Sequence, residues 1–216
     1  MNKFYNEFME HLEAENREDS LSFVLSKLEN DEIDIITLYT EILAPSLNNM
    51  KPAENDMTFI WREHIRSSII RTIIENCYTY VIKERDEKYK FEIDKKVAVV
   101  CPSEEYHEIG ARMVTDFFTL LGYDSTFVGS NTPKEEFVQA LKILNFDYIA
   151  LSISNHYNLV AARKAIEKIK ESHSMVKIIV GGNAFKNMEA CYKELKADMY
   201  IKTFEDIKKL AQEDEV

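Results

Sequence analysis

One histidine of this sequence follows closely after a segment that has the pattern of a buried strand. The run KVAVVC at 96–101 is apolar, and His107 follows it with Glu105 and Glu108 on either side and Gly110 three residues later. A neutral imidazole is a good metal ligand. The carboxyl end of a strand is where α/β proteins build their ligand sites, so His107 is a candidate ligand-binding residue.

Two further predicted strands end in small polar residues or glycines. The segment YIALSIS contains Ser152 and Ser154, and the segment VKIIVGG ends with Gly181 and Gly182. The carboxyl ends of parallel strands meet at one edge of a sheet, and a glycine pair there permits close approach to the backbone. We therefore expect the imidazole, the serine hydroxyls and a glycine surface open to a ligand at the same edge of the sheet.

The elements that position these residues alternate between strands and helices from residue 94 onward. The strand runs are nearly continuous in apolar residues, which is typical of a parallel sheet covered on both faces. Five such units predict a flavodoxin-like, Rossmann-like fold in a domain at 94–216. The predicted strands are 96–101, 124–129, 148–154, 176–182 and 199–201. The helices between them include 134–144, 159–172, 185–195 and a last helix from Phe204.

Residues 1–88 have a different pattern and contain no glycine. Apolar residues recur there at helical spacing in four segments joined by short connections, which predicts a four-helix bundle. The segments are 3–15, 20–30, 34–50 and 56–85. Asp34 is a candidate N-cap, Pro45 is expected to bend or interrupt the third helix, and the charged stretch 87–95 is the predicted linker.

Composition limits the function further. The formal net charge of −11 argues against direct binding of nucleic acid, which needs a basic surface. There is no run of about 20 apolar residues that would span a membrane and no signal peptide pattern, so a cytoplasmic location is expected. Cys77, Cys101 and Cys191 form no CxxC motif and are interpreted as buried thiols.

Together, the three strand ends resemble the signature of the cobalamin-binding domain found in methionine synthase, mutases and corrinoid proteins. That signature reads D-x-H-x-x-G, S-x-L and G-G, and the first motif corresponds here to residues 105–110, with Glu105 in place of Asp. Between Gly110 and Ser152 lie 41 residues, and between Ser154 and Gly181 lie 26, as in the family. Glu105 is one methylene longer than the family residue, and Ser154 replaces the family Leu.

The resemblance implies a set of cofactor contacts. His107 would be the axial cobalt ligand in place of the dimethylbenzimidazole tail of cobalamin, and Glu105 would orient its ring. The tail would pass beside Ser152 and over the glycines. The further cofactor-binding residues that the resemblance implies are Tyr106, Glu108, Ile109, Gly110, Ser154, Gly181 and Gly182. The implied cofactor is cobalamin, as adenosylcobalamin or methylcobalamin, and haem is the alternative that a histidine ligand also allows.

The helical half carries a second resemblance. Trp61, Glu63 and His64 fall within one turn, before an isoleucine-rich stripe, and resemble the helical segment of cobalamin photoreceptors and related regulators. The resemblance implies that these three residues cover the upper face of the corrin. The alternative places Trp61 in the bundle core, with Glu63 and His64 on the exposed face.

Two classes of function follow from these resemblances. The first is a cobalamin-binding sensor or photoreceptor-like regulator that acts through a protein partner, and the absence of glycine in the helical half favours it. The second is a corrinoid methyl-carrier subunit of a methyltransferase system. Either one is a binding protein rather than an enzyme in its own right. The expected partners are cobalamin and a regulator or methyltransferase, without direct nucleic acid or membrane contact, and self-association into a homo-oligomer is left open.

Overall fold

The computed structural model describes residues 3–52, 57–173, 175–186 and 191–215. The chain divides into two compact units, Met1–Glu87 and Lys88–Val216. The predicted start of the fourth helix at Asp56 lies outside the described residues, as does the stretch 187–190 of the helix predicted at 185–195. Among the described residues, no helix combines the length and the hydrophobicity that a membrane span requires.

The first unit is helical, as predicted. Its helices are α1 (Lys3–Glu13), α2 (Arg17–Glu29), α3 (Ile35–Thr37), α4 (Ala44–Asn48) and α5 (Phe59–Glu84). Two local bonds fix the helix starts, because the Asn16 side chain accepts the Asp19 N–H and the Asp34 side chain accepts the Thr37 N–H. Fully buried residues such as Phe8, Leu12 and Ile70 form the core of the unit.

The third predicted helix is not broken at Pro45 but is widened just before it. A π-helical segment, Leu38–Leu43, joins α3 to α4, and the Ala44 N–H bonds to the Tyr39 carbonyl, five residues back. Proline has no N–H to donate to the preceding turn, and a π-helical turn is one way for a helix to absorb that mismatch. The helix therefore continues through Pro45 as α4.

The second unit is a five-stranded, all-parallel sheet in the order β2-β1-β3-β4-β5, which confirms the flavodoxin-like prediction. Its strands are β1 (Lys96–Pro102), β2 (Asp124–Thr132), β3 (Tyr148–Ser152), β4 (Lys177–Gly181) and β5 (Met199–Tyr200). Its helices are α6 (Ile109–Leu120), α7 (Lys134–Leu141), α8 (Leu159–Ser172), α9 (Cys191–Glu194) and α10 (Phe204–Asp214). Two 3₁₀ turns, His156–Asn158 and Asn183–Phe185, follow β3 and β4.

The register of the central strands aligns the three candidate segments. Val100 of β1 pairs with Leu151 of β3, and Ser152 of β3 pairs with Gly181 of β4. Every residue of β1 after Lys96 is buried, because helices cover both faces of the central strands. The loops after β1, β3 and β4 therefore leave the sheet at the same edge, as the sequence predicts.

The predicted linker at 87–95 is only partly irregular. A π-helical segment, Arg85–Tyr89, extends α5 into it, and irregular backbone begins after Tyr89. The Tyr89 ring packs edge-on against Phe204 of α10, and Lys95 forms an ion pair with Asp214 at the end of that helix. These contacts place the end of the connector within the second unit.

Candidate functional site

The centre of the candidate site is the carboxylate of Glu105, whose side chain is fully buried. One oxygen, Oε1, accepts the His107 backbone N–H at 3.0 Å and lies 2.6 Å from His107 Nδ1. The other, Oε2, accepts the N–H groups of Ser154 at 2.8 Å and Asn155 at 3.0 Å, and the side-chain amide of Asn158 at 3.0 Å. A single carboxylate thus joins the β1–α6 loop to the β3–α8 loop.

The hydrogen bonds keep Glu105 ionised. Burial by itself raises the pKa of a carboxyl group, but bonds from His107, Asn155 and Asn158 outweigh it and lower the pKa of Glu105 to about 2. An ionised acceptor at Nδ1 favours the imidazole tautomer that carries its proton on Nδ1, which leaves the lone pair on Nε2. The His107 side chain is 62% exposed, so its ring is open to a ligand.

The longer side chain of Glu105 therefore reaches the histidine. Its 2.6 Å contact with Nδ1 is that of a strong, charge-assisted hydrogen bond. The geometry that orients the ring is present with Glu in place of the family Asp.

The remaining residues of the 105–110 segment differ in their surroundings. Tyr106 is exposed, and Glu108 is paired with Arg112 one helical turn later at 3.2 Å. Ile109 is partly buried at the first position of α6. Next to it, Gly110 is exposed, and a β-carbon added there would meet nothing within 4 Å. This open surface lies three residues after the exposed imidazole.

Gly181 and Gly182 are required by the protein's own backbone. A β-carbon on Gly181 would lie 2.7 Å from the carbonyl oxygen of Ile201, and one on Gly182 would lie 2.4 Å from that of Ile153. Gly182 also has a φ of +107°, in the region that favours glycine. A bulky side chain at Gly182 would therefore disturb folding before it could report on a ligand.

We expect alanine substitutions of Gly182 and Gly110 to have different effects on the stability of the apo protein. Gly182→Ala should lower the free energy of unfolding of the apo protein by about 1–3 kcal/mol, because the backbone is strained and the Ile153 carbonyl is too close. Gly110→Ala is the matched control and should be neutral or slightly stabilising. Thermal denaturation of both variants measures the difference, and equal melting temperatures would contradict this account of Gly182.

The three residues singled out in the helical unit lie at the start of α5. Trp61 is 74% exposed, His64 is exposed and Glu63 is partly buried. The alternative that placed Trp61 in the bundle core is wrong, because the first buried residue of α5 is Ile69 and the preceding turns carry none. With Met57 and Ile60, which are also exposed, Trp61 forms an apolar stretch at this end of the unit.

Sequence reasoning missed Asn158. Asn158 is buried, and its amide donates to the Glu104 carbonyl at 3.2 Å as well as to Glu105. The pattern N-x-x-N after a strand was a possible signal, since asparagine often bonds to nearby backbone in turns. Ser154, which was predicted as a cofactor contact, also donates its backbone N–H to Glu105.

Cys101 is a buried thiol next to the loop that carries His107. It is buried at the end of β1, and its Sγ lies 3.8 Å from the His107 carbonyl oxygen. Burial and the nearby carboxylates Glu105 and Glu108 raise the pKa of Cys101 to about 12. Cys77 is buried as predicted, whereas Cys191 is only partly buried.

Several known corrinoid proteins are similar to part of this sequence. Dimethylamine corrinoid protein 2 of Methanosarcina mazei is 31% identical over 80 residues, which are 36% of this chain and 37% of that protein. Dimethylamine corrinoid protein 1 of Methanosarcina acetivorans is 31% identical over 80 residues, 36% of this chain and 38% of that protein. The alignments thus span little more than a third of these relatives.

Solved structures with a similar fold extend over nearly the whole chain. The monomethylamine corrinoid protein of Methanosarcina barkeri has a TM-score of 0.76, with 98% of both chains covered at 16% identity. A cobalamin-binding protein from Desulfitobacterium hafniense DCB-2 has a TM-score of 0.50, with 97% of both chains covered at 15% identity. The methanol:cobalamin methyltransferase complex MtaBC of M. barkeri also has 0.50, with 95% of this chain and 76% of that chain covered at 16% identity.

These structural similarities establish the fold, a helical region followed by a Rossmann-like domain. The family assignment comes from the sequence itself. Residues 95–210, more than half of the chain, match the B12 binding domain family profile. The chain therefore belongs to the B12 binding domain family.

Proposed function

We propose that this chain is the corrinoid-carrying subunit of a methyltransferase system, with His107 as the axial ligand of cobalt. The observation that carries the proposal is the bond between His107 Nδ1 and the buried Glu105 carboxylate, with the ring exposed at the carboxyl edge of the sheet. That pair supplies the oriented, electron-rich imidazole that a metal ligand requires.

The surroundings of the pair fit a corrinoid. Gly110, three residues after His107, is exposed and has open space where a β-carbon would lie, as a site for a flat macrocycle requires. Ser152 and Gly181 form the paired ends of β3 and β4, where the nucleotide tail is proposed to pass. When bound, the cobalt would supply a centre that can take up and release a methyl group. The family match supports cobalamin and gives no support to haem.

The carrier interpretation is preferred over the sensor interpretation that the absence of glycine suggested. The similar proteins reported above are named corrinoid proteins, and one similar structure is a complex with a methyltransferase. The absence of glycine has a local explanation, because Glu15 and Asp31 take the positive φ values of 57° and 53° that glycine usually supplies. The proposed partner is a methyltransferase, which would catalyse the transfer.

The test is reconstitution with adenosyl-, methyl- and hydroxocobalamin, in the dark and after illumination. The proposal predicts that all three bind with His107 on cobalt. It also predicts that light alters only the upper ligand and leaves the oligomeric state unchanged in size-exclusion chromatography. A change of oligomeric state on illumination would favour the regulator instead.

The amino-terminal end of α5 is proposed to contact the upper face of the bound corrin. The support is the exposed indole of Trp61, a flat apolar group suited to stacking. We expect Trp61→Ala to change the unfolding free energy of the apo protein by no more than about 0.5 kcal/mol, because the side chain is not in the core. The variant should alter the relative affinities for the three cobalamins. Thermal melts and titrations measure both effects, and an unchanged order of affinities would contradict this role.

A further inference from the structure

The short segment Glu104–Glu105 is held by two asparagines from outside its own loop. Asn131, near the end of β2, accepts the Glu104 N–H on its side-chain oxygen at 2.8 Å and donates its own N–H to the Glu105 carbonyl at 2.9 Å. From the other side, the Asn158 amide donates to the Glu104 carbonyl and to the Glu105 carboxylate. The backbone that leads to His107 is therefore bonded to two different neighbouring segments.

The backbone conformation at this point needs such support. Glu104 has a φ of +68° and Asn131 a φ of +51°, both in the left-handed region. Asparagine enters that region readily, whereas a glutamate does so only where its surroundings fix it. The bond from the Glu104 N–H to the Asn131 side chain is one such restraint.

The turn at Glu104 decides where the next side chains project. It sends the Glu105 side chain into the protein, where it is fully buried, and leaves His107 exposed two residues later. A different conformation at Glu104 would withdraw the carboxylate from Nδ1 or change the direction of the ring.

We propose that Asn131 is a positioning residue for the axial histidine, acting through the backbone of Glu104 and Glu105. The inference rests on the proposed function, since it concerns how the chain presents His107 to cobalt. Asn131 belongs to none of the three sequence motifs and lies on the edge strand of the sheet. Its side chain contacts the loop at the Glu104 N–H.

Two substitutions separate the side chain of Asn131 from its backbone conformation. Asn131→Gly keeps the left-handed backbone accessible and removes only the acceptor for the Glu104 N–H. Asn131→Asp keeps an acceptor of the same length and a residue tolerant of positive φ. We expect cobalamin affinity to fall about three- to tenfold in the glycine variant, the value of one hydrogen bond, and to recover in the aspartate variant. The fraction of cobalamin with histidine on cobalt should change in the same order.

Hydrogen exchange of the apo proteins provides a readout that does not depend on the cofactor. Amides of residues 104–107 should exchange faster in Asn131→Gly than in the wild type and in Asn131→Asp, while the sheet amides stay protected. Unchanged exchange and unchanged histidine coordination in the glycine variant would overturn the proposal, as would failure of the aspartate variant to recover. If wild-type protein binds no cobalamin, the proposed function fails, and the exchange data still decide whether Asn131 orders this loop.

Discussion

Replacing His107 with alanine is expected to abolish the absorption spectrum of histidine-coordinated cobalamin and to weaken cobalamin binding at least about tenfold. The ring is exposed and its Nδ1 is held by Glu105, so the lone pair on Nε2 is the ligand that the variant loses. Absorption spectra and titrations with hydroxocobalamin measure the loss.

The matched control is His156→Ala. His156 is an exposed histidine in the 3₁₀ turn after β3. The centres of its ring and the Tyr157 ring are 4.1 Å apart. It belongs to none of the three motifs, so its removal should leave the spectrum unchanged. If His107→Ala keeps the wild-type spectrum and affinity, His107 is not the cobalt ligand.

Glu105→Gln is expected to lower the stability of the fold and to weaken the coordination of cobalt by His107. The groups described above that contact the carboxylate all donate hydrogen bonds to it. Four of them are N–H donors in any state, and His107 Nδ1 is a donor in the preferred tautomer. Either orientation of a glutamine amide would therefore direct its NH₂ group at another donor. We expect a loss of about 2–4 kcal/mol in the unfolding free energy of the apo protein and roughly 10- to 100-fold weaker metal ligation. Denaturant unfolding and cobalamin titration measure the two effects.

Glu105→Asp is the control that keeps the charge and restores the family residue. It should retain more stability and more histidine coordination than Glu105→Gln, with some loss because the carboxylate is one methylene shorter. Comparable losses in the two variants would show that chain length, rather than charge, matters at this position.

The same carboxylate predicts how acid affects the apo protein. The pKa of Glu105 is lowered in the fold, so its stabilisation is fully present above the ordinary value of 4.5 and is lost as the pH falls towards about 2. The stability difference between wild type and Glu105→Gln should therefore shrink over that range. A difference that stays constant with pH would contradict the ionised, hydrogen-bonded carboxylate.

The sequence was sufficient for the fold class because most elements have a clear pattern. The buried parallel strands are continuous apolar runs, and α8 and α10 start at the residues that periodicity indicated, Leu159 and Phe204. The pairing of Glu105 with His107 was also predictable, because both residues lie in one short motif.

The parts that could not be predicted depend on backbone groups and on tertiary packing. The N–H groups of Ser154 and Asn155 that bind Glu105 are not distinguished by any residue type. The sequence left open whether Trp61 is exposed or in the core, because α5 begins nearly three turns before its first buried residue, Ile69, and periodicity does not show where the core ends. At Gly182, the sequence alone could not show whether the glycine makes room for a ligand or for the Ile153 carbonyl.

The most direct test of the central claim is electron paramagnetic resonance of the Co(II) form of cobalamin bound to protein labelled with ¹⁵N-histidine. If His107 is the axial ligand, the nitrogen splitting of the cobalt signal changes from a triplet in unlabelled protein to a doublet in labelled protein. The His107→Ala variant should lose this response to the label. A triplet that persists in the labelled wild-type protein would show that the dimethylbenzimidazole tail still occupies cobalt, and the proposed role of His107 would be wrong.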